Sequence, residues 1–117
     1  MSTPKKTLQA IFYSHPTGTE PVRDWLLSLL VEERKAISGD IMSVEFGWPI
    51  GMPTVRSLGH GLWEVRTTLP KTIARVFFCI KGKNLILLHG IIKKSQDTPS
   101  KDLELARKRM KAIGGKL

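Results

Sequence analysis

Four cations, Arg66, Arg75, Lys93 and Lys94, stand out as residues that could do chemistry. They lie in a stretch, Val65 to Gln96, that holds seven basic residues and no acidic one. The two arginines can donate paired hydrogen bonds to a phosphate, and because a guanidinium stays protonated at neutral pH they are stabilisers of charge rather than bases. Lys93 and Lys94 follow an apolar run. Either they solubilise a strand end, or crowding among like charges depresses one ammonium and makes it a proton donor or base. Glu64 is the one carboxylate close to this group in sequence, and is read as a general base or as the partner that orients Arg66. His89 sits inside a strand-like run, as a structural residue or an accessory to the chemistry. His60, between two glycines, Phe77, beside Arg75 in the pattern, and Lys71 are placed to meet a nucleic acid by charge or by base stacking.

The elements that must position these residues follow from periodicity. Residues 8–13 (LQAIFY) read as a first strand that ends at the turn-rich HPTGTEP. Pro21 suits a first helical turn, and Trp25, Leu26, Leu29 and Leu30 recur at helical spacing, so a helix is expected over 21–30. The order Glu32, Glu33, Arg34, Lys35 suits a fresh helix start. Ile37, Ile41, Val44 and Phe46 continue an apolar stripe to the vicinity of Gly47. The segment GWPIGMP is too rich in proline and glycine for regular helix and is expected to be a loop. Residues 55–58, 62–69, 73–80 and 84–92 are β-branched, aromatic and aliphatic, separated by GHG, PKT and KGK, and predict an antiparallel meander. A last helix is expected with Thr98 as N-cap, Pro99 at its first position and Gly114 and Gly115 as stop signals.

Strand alternation then sorts the faces. Trp63, Val65, Thr67 and Leu69 point one way with Ala74, Val76, Phe78 and Ile80, and helices are expected to cover that side. Glu64, Arg66, Arg75 and Phe77 point the other way, with Lys93 and Lys94 converging on them, so this second face is expected to be open and basic. Leu103, Ala106, Met110 and Ile113 share one face of the last helix, which leaves Arg107, Lys108, Arg109 and Lys111 mainly exposed, either as a basic face that contacts RNA or as a solvated face.

Composition sets the outer limits. The chain has 117 residues, 41% hydrophobic and 25% charged, the balance of one globular domain spanning 1–117. Residues 1–64 carry six Lys/Arg against seven Asp/Glu, and residues 65–117 carry thirteen against three, so the whole formal charge of +9 comes from the second half. That segregation points to a polyanionic partner. The single Cys79 gives no internal disulfide and no thiolate metal site. Neither a signal-peptide pattern nor a membrane-length apolar run is present, and the expectation is a cytoplasmic chain without metal, cofactor or membrane contact.

Several segments together resemble a known family. They are WLLSLLVEERKAI, EFGWP, LWEVR at 62–66, the ARVFF strand with Arg75, LLHGIIKKSQDTP at 87–99 and the helix with Ala106. In this order they are similar to the phage Gp49-like branch of the HigB toxins, within the RelE/ParE superfamily of type II toxin–antitoxin systems. The resemblance implies an α+β fold in which N-terminal helices pack on one face of a curved antiparallel β-sheet, followed by a C-terminal helix. It also implies metal-independent cleavage of mRNA on the ribosome, and a helix-turn-helix antitoxin as partner. Arg66, Arg75, Lys93 and Lys94 match the basic cluster of the relative RelE, whereas Leu62 and Glu64 stand where that relative has lysines, and Tyr13 is the only tyrosine here. Such cleavage needs the 2′-OH deprotonated, the charge on the phosphorane stabilised and the leaving 5′-oxygen protonated. The general base is left open among the residues named. The rival readings are a non-enzymatic inhibitor of DNA gyrase, as in the ParE branch, and a nucleic-acid-binding accessory. Arg75→Ala is expected to abolish growth inhibition with the fold preserved.

Overall fold

The computed structural model describes residues 5–49, 55–94 and 98–114. Its elements are β1 (Gln9–Phe12), α1 (Pro21–Leu27), α2 (Val31–Gly47), β2 (Val55–Gly59), β3 (Leu62–Thr68), β4 (Ile73–Lys81), β5 (Asn84–Lys93) and α3 (Ser100–Gly114). The fold is α+β, with the N-terminal helices on one face of the sheet and a C-terminal helix. The expected meander is present from β2 to β5, and β1 joins its end in parallel with β5, giving a mixed five-stranded sheet in the order β1-β5-β4-β3-β2. Positions 50–54, including part of the expected loop, and the stop signal at Gly115 lie outside the described residues.

The helix expected over 21–30 ends earlier, at Leu27. Ser28 Oγ donates to the Trp25 carbonyl at 2.6 Å, and Leu30 adopts an extended conformation whose N–H is taken by Glu33 Oε1 at 3.0 Å. A side chain that satisfies a helix-terminal donor stabilises the new start, so the chain breaks and restarts between two apolar stretches. Thr98 is likewise not the N-cap of α3. The Pro99 carbonyl accepts the first helical hydrogen bond, from Leu103 N–H at 3.1 Å.

Helical and strand periods place apolar groups on both sides of the sheet. Val22 and Leu26 of α1 and Ile37, Ile41 and Val44 of α2 pack with Val65, Ala74, Val76, Phe78, Leu85 and Leu87. Fully burying one such side chain is worth about 1.5–3 kcal/mol, so this layer is the main source of stability. Phe46, expected on the same stripe, is instead exposed, and the neighbouring Glu45 is buried. Its carboxylate accepts the Ala10 N–H at 2.7 Å and pairs with Lys6 at 3.3 Å, which gives β1, otherwise an edge strand, a polar partner on its outer side.

The second face is not open, as the sequence pattern suggested. Leu103, Ala106, Met110 and Ile113 of α3 cover Leu62, Phe77, Cys79, Ile86, Leu88 and Ile91. Alternation sorts side chains between faces but says nothing about which distant helix returns to cover each one.

Gly90 of β5 lies directly under the Trp25 ring. A Cβ placed there would overlap ring carbons Cζ3 and Cε3. Gly90→Ala is therefore expected to push the indole out of its seat and to destabilise the fold by about 2 kcal/mol, the range of overpacked cores. Chemical denaturation read by tryptophan fluorescence checks this, and a midpoint equal to wild type would show that the ring moves freely.

Candidate functional site

The strand register builds the site as rows of side chains across the second face. One row is Arg56 on β2, Glu64 on β3, Phe77 on β4 and His89 on β5, and the next is Arg66, Arg75 and Ile91. A third, Thr68, Ile73 and Lys93, closes the end of the sheet. Neighbours within a row stand roughly 5 Å apart. Glu64, Phe77, Arg66 and Arg75 are thus brought together in two adjacent rows with Lys93 in the third, and Arg66 and Arg75 are direct cross-strand partners.

Glu64 is the hub. Its side chain is wholly buried, and Oε1 lies 2.8 Å from Arg66 Nε and 3.4 Å from Arg75 Nε. Oε2 lies 3.4 Å from Arg56 Nη2 and accepts the Thr98 hydroxyl at 3.2 Å. Arg56 also donates to Thr98 Oγ1 at 3.3 Å. A buried carboxylate is tolerated only when paired and hydrogen-bonded, and three guanidiniums and a hydroxyl meet that need. Both carboxylate oxygens are engaged, which makes Glu64 an anchor that orients arginines rather than an accessible base. Sequence reading missed Arg56 and Thr98. Arg56 was detectable as the charged residue facing Glu64 across the GHG turn, whereas Thr98 arrives from the far end of the chain.

The arginines differ in access. Arg75 has no exposed surface, while Arg66 keeps 24% of its side chain exposed and is the member of the pair that meets solvent. Arg75, expected to meet a phosphate directly, is instead enclosed beside Glu64 and has no surface open to a ligand. Lys93 and Lys94 are exposed at the end of β5, and Lys71 is exposed at the β3–β4 connection near the same end. Phe77 is corrected too. It is fully buried with its ring stacked on His89, centroids 5.9 Å apart at 11°, so it offers no ring face to a base.

His89 reaches this face through an irregularity. Phe77 pairs with His89 but Phe78 pairs with Leu87, which leaves Leu88 as an extra residue on β5. Such a bulge shifts the alternation by one, placing His89 on the side of Arg75 and freeing the Leu88 carbonyl, which accepts Arg109 Nη1 at 2.7 Å. His89 Nε2 lies 2.7 Å from Asp102 Oδ1 in the first turn of α3. The two form a half-buried pair, and Asp102 is a residue the sequence pattern did not single out for the site.

The basic face expected on α3 is also partly corrected. Arg107 turns back to the β2–β3 hairpin, donating to Leu58 O at 2.7 Å and Gly59 O at 3.2 Å. Arg109 lies over the Tyr13 ring at 5.5 Å, and burial pulls its guanidinium below the usual value. Lys108 and Lys111 remain exposed, as does His60 at the hairpin tip. Burial raises the Cys79 thiol above its ordinary value despite the lowering influence of Lys81. That disfavours thiolate and marks Cys79 as a packing residue.

Among the described residues, no group of three or more His, Cys, Asp or Glu is placed to hold a metal ion, and no helix is long and apolar enough to cross a membrane. No curated protein matches this chain. A family model described as "Phage derived protein Gp49-like (DUF891)" matches residues 24–111, from α1 through most of α3, and takes in Glu64 with its arginines, the His89–Asp102 pair and Lys93 and Lys94. With three quarters of its length inside that match, the chain belongs to the Gp49-like family of phage-derived proteins.

Proposed function

We propose that this protein is the toxin of a type II toxin–antitoxin pair and acts as an endoribonuclease on mRNA held by the ribosome. Family membership supports the toxin reading. The observation that carries the enzymatic reading is the cross-strand pair Arg66 and Arg75 anchored on buried Glu64, with Lys93 and Lys94 at the same end of the face. A guanidinium fixed by a buried carboxylate is preorganised, so it meets developing negative charge without first paying for its own ordering.

In this reading Arg66 holds the scissile phosphate and stabilises the phosphorane. Arg75 and Glu64 hold Arg66 in place, and Lys93 or Lys94 supplies charge or a proton to the leaving 5′-oxygen. The His89–Asp102 pair is the accessory group best built for proton transfer, because a carboxylate on one ring nitrogen sets the tautomer of the other. No cofactor enters the scheme. The partners are the ribosome with its mRNA, in the cytoplasm, and a helix-turn-helix antitoxin that restrains the toxin.

The test is 5′-end mapping of a reporter mRNA in a reconstituted translation reaction, with wild type and Arg66→Ala, with and without ribosomes. New ends that require both the ribosome and Arg66 are expected. An intact message would refute the nuclease reading and direct attention to DNA-gyrase supercoiling.

A further inference from the structure

At the other end of the face from Lys93, a hollow of about 260 Å³ opens between three elements. It is lined by His60 and Gly61 of the β2–β3 turn, Cys79, Ile80 and Lys81 of β4, and Met110 and Lys111 of α3. We propose that this hollow is a second anion site, which takes a backbone phosphate of the RNA strand at a distance from the bond being cut.

Two observations carry it. The cationic groups are Lys81 and Lys111, with the His60 side chain beside them, drawn from separate parts of the chain. Among the described residues none of them has an ion-pair partner, so like charges share one hollow without a carboxylate to offset them. His60 holds a left-handed backbone, φ 55°, between Gly59 and Gly61, a conformation in which histidine is among the enriched non-glycine residues, and it stands at the tip of the turn that borders the hollow. Arg107 ties the carbonyls of Leu58 and Gly59 to α3, so the turn and Lys111 are held in fixed relation before any ligand arrives.

From Arg75 to Lys81 the strand runs six residues, roughly 20 Å at the usual rise, in keeping with a short single-stranded segment of about four nucleotides. A phosphate is the fitting ligand because ammonium groups bind it as point charges, and no carboxylate side chain lines the hollow to favour a cation. The choice of RNA as the source of that phosphate rests on the nuclease reading.

The test measures binding of a labelled single-stranded RNA 12-mer by fluorescence anisotropy over a range of KCl concentrations. It compares wild type, Lys81→Ala/Lys111→Ala, and the control pair Lys5→Ala/Lys35→Ala, which removes the same charge from exposed positions elsewhere. The hollow variant is expected to bind about tenfold more weakly, with a salt slope shallower by about 0.7, the loss of one neutralised phosphate on a single strand. The control is expected to keep the wild-type slope. Equal losses in both pairs, or none in either, would overturn the site while leaving the nuclease reading to its own cleavage assay. Absence of RNA binding by wild type would overturn it as well. Ribosome-dependent ends together with an unchanged hollow variant would show that this reading stands and the second site does not.

Discussion

Arg75→Ala is expected to lower the stability of the protein by about 3 kcal/mol, the cost of removing one partner from a buried ion pair. For a domain of this size that amounts to a fall of roughly 10–15 °C in Tm. The reason is Glu64, which keeps no exposed surface and would lose the one guanidinium that is buried with it. On this expectation the variant does not leave the fold intact, and loss of toxicity in Arg75→Ala alone does not by itself assign a chemical role. The double variant Glu64→Met/Arg75→Met separates the two effects. Buried ion pairs replaced by apolar groups of similar size cost little stability, so this protein is expected to melt within a few degrees of wild type yet to cleave no message, because Arg66 has lost its anchor. Thermal melts and the end-mapping assay give both readings. A single variant as stable as wild type would show that Arg56, Arg66 and Thr98 suffice for the carboxylate.

The second large effect is on rate. Arg66→Ala is expected to reduce cleavage about 100-fold, the loss typical of one preorganised donor to a developing charge. The fold should be disturbed far less than by Arg75→Ala, since the side chain is partly exposed and Glu64 retains its other partners. Arg66→Lys keeps the charge but not the paired hydrogen bonds, and only a minor part of the rate should return. Single-turnover cleavage on programmed ribosomes measures both. Full activity in Arg66→Ala would remove it from the site and shift the phosphate role to Lys93 and Lys94.

Much of this was legible in the residue pattern. The period-two alternation of 62–69 and 73–80 sorted Val65, Ala74, Val76 and Phe78 from Glu64, Arg66, Arg75 and Phe77, and the structure has the same division. Side-chain alternation is a local property of extended backbone, so it survives into any fold that contains those strands. The i, i+4 spacing that placed Ile37 and Ile41 on the buried side of α2 is local in the same sense. The charge asymmetry between the two halves is likewise independent of folding.

What depended on tertiary structure are the features set by contacts between distant residues. The covering of the second face by α3 turned Phe77 from a stacking platform into core, and brought Asp102 to His89 and Thr98 to Glu64. The bulge at Leu88 reversed the side on which His89 emerges, a shift of one residue that no alternation count registers, because it is held by Arg109 from twenty-one positions away. The role of Glu64, open between base and anchor in the sequence, was decided by burial and by the guanidiniums around it. By itself, then, the sequence determined which side chains share a face and where the positive charge accumulates, since both follow from local geometry and composition. Only the folded chain decided which of those groups meet water and which spend their charge on one another, because burial and pairing are set by long-range packing.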